Sequence, residues 1–254
     1  MNSQPIGFFD SGLGGLSVLK AALKLLPNEN YIFYGDSANA PYGTKDQAFI
    51  MKRCIAICDQ LTAMKCKAIV VACNTATSVA INELRSKYPI PIIGMEPALK
   101  VATDSGNNQN IAVLATPLTL AEKKFAALLA HHGGNNNIYK LACPELVKIV
   151  ENNQLSNKQL IKQTFDNYFK DINVDTLDSM VLGCTHFVFF RDYLSQTYPN
   201  VELIDGNTGT CLHLKDILTT SNALNNQSGT VKLLNSDTSK LTLSKQLLGE
   251  SYVD

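Results

Sequence analysis

The sequence predicts an α/β protein of two similarly built halves, each a parallel-type sheet flanked by helices. Three observations carry that expectation. Short apolar runs alternate with stretches of helical spacing, the rhythm of parallel sheets. Two of the runs end alike: Ala-Ile-Val-Val-Ala-Cys73-Asn74-Thr75-Ala and Met-Val-Leu-Gly-Cys184-Thr185-His186-Phe, with Cys184 following Cys73 by 111 residues. Upstream, Ile6-Gly-Phe-Phe-Asp10-Ser11-Gly12 resembles Ile111-Ala-Val-Leu-Ala115-Thr116-Pro117, at an offset of 105 residues. The two similar offsets put a cysteine at the same structural address in each half. An approximate two-fold arrangement would then face the two thiols across a cleft.

The first half opens with a strand at residues 5–9. Asp10-Ser11-Gly12-Leu-Gly14-Gly15 turns it into a helix running to about Leu26. Two readings of that turn are open: a tight strand-to-helix connection, or a dinucleotide loop whose glycines allow close backbone approach. The spacing is Gly-x-Gly-Gly rather than Gly-x-Gly-x-x-Gly, a weak match. A second strand at residues 30–34 leads to Asp36, where a nucleotide ribose would want an acid. Tyr42, between Pro41 and Gly43, stands in an ordered turn, with surface packing as its plainer reading. Residues 47–65 form a long helix with Cys54 and Cys58 in its core face, and no second pair at zinc spacing follows.

The run ending at Cys73 reads as a buried central strand feeding a helix. Ligand sites in open α/β sheets lie at such strand ends. A helix N-terminus there can lower a thiol pKa from about 8.5 into the roughly 3.5–7.5 range. The competing reading of Cys73 is an inert buried hydrophobe; its recurrence at Cys184 weighs against that. A strand at residues 88–94 contains two prolines and ends at a domain crossing near residues 95–98.

In the second half a short helix begins at Leu99 and gives way to a polar run at residues 105–110. A strand at 111–114 and a helix at 116–130 follow. His131-His132-Gly133-Gly134 reads as helix C-cap chemistry rather than a metal pair. A strand at 139–142 leads through Cys143-Pro144 to Val150-Glu151, and residues 156–171 are helical. After the Cys184 strand come a helix near 189–197, a strand at 201–204 and a helix at 208–219. Residues 221–230 are polar and expected to be mobile, before a strand at 231–234 and a C-terminal helix.

Composition excludes several classes. Lys plus Arg and Asp plus Glu both number 22, so net charge is zero and broad capture of nucleic acid or anionic membrane is not expected. Apolar content of 45% supports a buried core. No run of about 18 apolar residues suggests a membrane span, and the N-terminus lacks the charged and apolar regions of a secretory leader. Seven cysteines do not make a small disulfide framework. They read as thiols kept reduced in the cytosol.

Taken together, the motifs resemble the glutamate racemase family, within the wider cofactor-independent aspartate/glutamate racemase group. Phe9-Asp10-Ser11-Gly12-Leu-Gly14-Gly15 and Tyr34-Gly35-Asp36-Ser37-Ala-Asn-Ala-Pro41-Tyr42-Gly43 look like its first two motifs. Ala72-Cys73-Asn74-Thr75 and Gly183-Cys184-Thr185-His186 look like its two cysteine motifs, and Cys143-Pro144 to Glu151 like its acidic stretch. Phe187-Val188 departs from the family's usual Tyr-Pro.

The resemblance implies two α/β domains, residues 1–98 plus 208–254 and 99–207, with the second inserted into the first. It implies no cofactor and no metal, and no pyridoxal-phosphate lysine motif is evident. Cys73 would abstract the Cα proton of D-glutamate, assisted by Asp10. Cys184 would serve L-glutamate, assisted by Glu151 and His186. Ser11, Asn74, Thr75 and Thr185 would bind the α-carboxylate and ammonium, and Tyr42 and Gly43 the side-chain carboxylate. Family members are often dimers, which admits a homodimer here, and the implied role is supplying D-glutamate for peptidoglycan in the cytoplasm. Two opposed groups suit racemisation because each needs only to act as base on one face and acid on the other. Three competing readings stay open. One is a relative acting on aspartate, another amino acid or a hydantoin. The second is a nucleotide-dependent oxidoreductase using the Gly12–Gly15 loop and Asp36. The third is a non-catalytic amino-acid-binding protein.

Overall fold

The computed structural model describes residues 2–96, 98–104, 106–249 and 252. The chain divides into two units, Met1–Glu96 with Asn207–Asp254, and Pro97–Gly206. Pro97 and Ser105, on which the expected domain crossing and the start of the polar run fall, lie outside the described residues.

The first unit begins β1 (Ile6–Asp10), α1 (Leu16–Leu25), β2 (Tyr31–Gly35), α2 (Gln47–Ala63), β3 (Ala68–Val71), α3 (Asn74–Lys87) and β4 (Ile92–Gly94). The second unit runs α4 (Ala98–Asp104), β5 (Asn110–Ala115), α5 (Pro117–Ala121), α6 (Lys123–His132), β6 (Asn137–Ala142), α7 (Pro144–Glu151), α8 (Lys158–Phe169), β7 (Ser179–Leu182), α9 (Arg191–Thr197) and β8 (Glu202–Ile204). The chain then returns to the first unit with α10 (Asn207–Thr220), β9 (Val231–Asn235) and α11 (Leu241–Leu248).

Both sheets are parallel. The first has the order β4-β3-β1-β2-β9, the second β6-β5-β7-β8. β1, β3 and β7 are buried along their whole length, which is why they read as continuous apolar runs rather than alternating ones. In the first unit α1 packs with α10 and α11, and α2 packs with α3. The core of the second unit gathers Leu99, Ala102, Ile111, Val113, Phe125, Val181 and Ile204. Phe165 adds stacked or edge contacts to Phe169, Phe190 and Tyr193.

The strand orders fix where ligands can be reached. In the first sheet the chain moves from β1 to β2 on one side and then crosses to β3 on the other. In the second it moves from β5 to β6 and then crosses to β7. Each sheet therefore has a topological switch point, at the carboxyl ends of β1 and β3 and of β5 and β7, the address at which open α/β sheets bind ligands. Asp10 and Cys73 stand at the first address, Thr116 and Cys184 at the second.

Several local expectations are corrected. The strand expected over residues 88–94 is only Ile92–Gly94, because Pro89 and Pro91 have no N–H to give a ladder. The helix expected over 116–130 is two helices, since Glu122 is extended (φ −69°, ψ 140°) and caps both; spacing alone does not reveal one extended residue. The helix near 189 begins at Arg191, after a 3-10 stretch Thr185–Phe190. α6 does end at the histidines, with Gly134 supplying a positive φ of 50°. Residues 221–230 are anchored rather than mobile: Asn225 is buried, its N–H donates to Glu29 Oε1 (2.8 Å), and its amide donates to Asn28 O (2.8 Å). Cys54 and Cys58 are core residues, as expected.

Candidate active site

The first switch point is assembled from β1, α1, β3 and α3. Cys73 ends the β3 segment and caps α3, its sulfur accepting the Ala76 N–H at 3.4 Å. A sulfur anion accepts such a bond better than a thiol does. The Cys73 thiol in turn reaches Ser11 Oγ at 3.6 Å, and Ser11 Oγ donates to Asp10 Oδ1 at 3.5 Å. Asp10 is fully buried and takes the Gly12 N–H at 2.7 Å. The sequence thus brings Asp10, Ser11 and Cys73 into one chain of contacts. Asn74 and Thr75 occupy the first turn of α3. Asn74 Oδ1 is a buried acceptor with no hydrogen-bond partner among the described residues, a poor arrangement unless a donor arrives from outside.

Packing accounts for Gly15 in the glycine-rich loop. A Cβ on Gly15 would lie 2.7 Å from Asp10 Cβ and 3.0 Å from both Ala72 Cβ and Ala72 O. The start of α1 therefore sits directly on the ends of β1 and β3. Gly15→Ala must displace the helix or Asp10 and is expected to cost about 1–3 kcal/mol by overpacking. A urea titration and an activity assay on the same preparation would check it, with activity falling further than stability accounts for.

Tyr42 is not on the surface. It is 1% exposed, and its hydroxyl donates to Asp36 Oδ2 at 2.6 Å. Its one hydroxyl hydrogen is thereby committed, so any hold on a substrate carboxylate falls to backbone N–H groups of the 3-10 turn Tyr42–Thr44, in which Gly43 is also buried. Asp36, read as a ribose acid, is fully buried and carries a two-nitrogen ion pair with Arg53. That removes the nucleotide reading's acid.

The second switch point is built from β5, β7, α7 and the 3-10 stretch after Cys184. His186 Nε2 lies 2.7 Å from Glu151 Oε1, and its Nδ1 lies 3.8 Å from Cys184 Sγ. With a carboxylate on Glu151, Nε2 carries a hydrogen, and in the neutral imidazole Nδ1 is then an acceptor facing the thiol. Cys184, His186 and Glu151 are all buried, as is Thr185. The distance of 35 residues between Glu151 and His186 is closed because α7 packs on the 3-10 stretch.

Sequence reasoning missed a second thiol beside each of these. Cys54 on α2 and Cys143 before α7 are buried, which pushes both thiols up, and the neighbouring Cys73 and Cys184 push them further. Cys143 lies within a recognised motif; Cys54 carries no signal beyond helical spacing. Arg53 was missed as well, because a polar residue on an amphipathic helix normally reads as solvated.

Two parallel-sheet units, each with a buried cysteine at its switch point and a hydrogen-bonded acid nearby, make up an α/β protein. The model of the Asp/Glu/Hydantoin racemase family matches residues 14–212, and the chain belongs to that family. It is a racemase, hence an isomerase. A glutamate racemase of Bifidobacterium adolescentis is 48% identical over 243 residues, covering 94% of each chain. One from Clostridium botulinum is 45% identical over 255 residues, covering 98% of each. The solved glutamate racemase of Francisella tularensis, in complex with D-glutamate, superposes with a TM-score of 0.85 at 27% identity, covering 100% of this chain and 96% of its own. Among the described residues no helix is long and apolar enough to cross a membrane.

Proposed function

We propose that this racemase interconverts L- and D-glutamate without a cofactor by passing the Cα proton between Cys73 and Cys184, and that it supplies D-glutamate for peptidoglycan in the cytoplasm. The observation that carries the reading is the presence, in a chain so similar to glutamate racemases, of a buried thiol with its own polar partners at each switch point.

The Cα–H is a very weak acid, so the base must be desolvated and the carbanion stabilised by fixed dipoles. In one direction Cys73 as thiolate takes the proton of D-glutamate, and the Cys184 thiol delivers its own to the opposite face. Cys184 is left as the thiolate, ready for the reverse. Ser11 and Asp10 hold Cys73 in place, and between turnovers in one direction Cys73 gives its proton to solvent while the Cys184 thiolate regains one from solvent by way of His186, oriented by Glu151. The N–H groups opening α3 suit the α-carboxylate, with Thr75 and Thr185 as further donors. Asn74 Oδ1 would accept from the ammonium. The turn at Tyr42 and Gly43 would meet the distal carboxylate. A homodimer is part of the proposal.

The test is incubation of metal- and cofactor-free protein with L-glutamate in deuterated water. D-Glutamate carrying deuterium at Cα is the expected product. Exchange with aspartate but not glutamate would move the substrate, and exchange with no amino acid would end the reading.

A further inference from the structure

One buried carboxylate of the first unit has no place in the proton transfer, yet side chains from several segments converge on it. Asp36 follows β2 and is fully buried. Arg53, on α2, gives it two hydrogen bonds of 2.9 Å, Nε to Oδ2 and one terminal nitrogen to Oδ1. The Tyr42 hydroxyl donates at 2.6 Å and the Asn39 amide at 2.9 Å. Ser236, just after β9, bonds to it as well. Burial alone would raise this carboxyl, but the bonds from Arg53, Tyr42, Asn39 and Ser236 outweigh it and hold the group below the usual carboxylate range.

What Asp36 holds is the turn Tyr42–Thr44. Through the Tyr42 hydroxyl it fixes a ring that is itself buried, in a turn packed against α3, the helix that Cys73 caps. The opening N–H groups of such a turn have no partner within it. The Asp36 backbone N–H donates to Asp10 O at 3.0 Å, so the same residue joins the turn to the strand end that carries Asp10.

We propose that Asp36, braced by Arg53, is the positioning residue that sets the affinity of the Tyr42–Thr44 turn for the distal carboxylate of the substrate. This rests on the glutamate reading above. Neither residue touches the substrate; they act through Tyr42. The planar guanidinium fork fits a carboxylate through two parallel bonds, which a lysine ammonium cannot reproduce. An amide at position 36 would turn an NH2 against one of its donors.

The experiment is steady-state kinetics on glutamate in both directions for Asp36→Asn, Arg53→Lys and Arg53→Gln. Alongside, Cα deuterium exchange is followed with 2-aminobutyrate, which lacks the distal carboxylate. An interaction that binds ground and transition states alike changes KM, so KM is expected to rise about tenfold or more while kcat stays within about threefold. Arg53→Lys should fall between wild type and Arg53→Gln, and exchange with 2-aminobutyrate should stay at its wild-type rate. Should Asp36→Asn not fold, the partly exposed Arg53 still decides the matter through its two variants. A fall in kcat with KM unchanged, or equal losses on glutamate and 2-aminobutyrate, overturns the proposal. Failure of the wild type to turn over glutamate brings down the substrate reading first, and this one with it.

Discussion

Replacing either cysteine by serine is expected to reduce racemisation of glutamate by about 10²–10⁴-fold, the contribution of a positioned acid–base group. The losses should differ in kind. On the proposed two-thiol scheme, Cys184→Ser leaves Cys73 to remove the proton of D-glutamate and return deuterium from solvent to the same face. Cys73→Ser should show the converse with L-glutamate. Each variant would then exchange Cα–H in one enantiomer without inverting it. NMR of Cα deuterium, combined with chiral chromatography, separates exchange from inversion. Full racemisation surviving in either variant would mean that a single base swings around the substrate, and the two-thiol scheme would fall.

Much of this was legible because the chemistry is written locally. The run Ile-Val-Val-Ala-Cys73-Asn74-Thr75 encodes a buried strand, a cap and a helix start in consecutive residues, and the structure builds each of them. The repeat at Cys184 is legible for the same reason. Strand order is not local, yet it explains why the two motifs matter: both cysteines stand where the chain reverses its direction across the sheet. Tyr42 and Asp36 show the opposite case. They are six residues apart, and each alone suggested a different ligand; their mutual bond, together with the reach of Arg53 from 17 residues away, makes them one internal brace. Spacing carries no sign of a pair closed by a helix that folds back over a turn. The polar segment 221–230 misleads likewise, because its anchor is a side chain nearly 200 positions earlier.

That anchor carries the largest expected effect on stability. Lys67 precedes β3 and Glu29 precedes β2, so both lie at the end of the sheet opposite Asp10 and Cys73. Their side chains are 3% and 1% exposed and meet at 2.6 Å. The ammonium spends its other two hydrogens on Asn2 O (2.7 Å) and Ala223 O (2.6 Å). Glu29 Oε1 receives the Asn225 N–H, and a Cβ on Gly229 would lie only 2.1 Å from Glu29 O, so the returning chain lies directly on this corner. Lys67→Met removes one partner and leaves a buried carboxylate and two carbonyls without their donor. The expected cost is about 3–5 kcal/mol, read as a shift in the urea midpoint by circular dichroism. Lys67→Met/Glu29→Gln removes both charges while keeping an acceptor for the Asn225 N–H, and should recover part of that loss. With Glu29→Gln measured as well, the double-mutant cycle gives the coupling between the two groups. A single variant within about 1 kcal/mol of wild type would show that water can replace the ammonium as donor, and that this corner of the sheet does not depend on it.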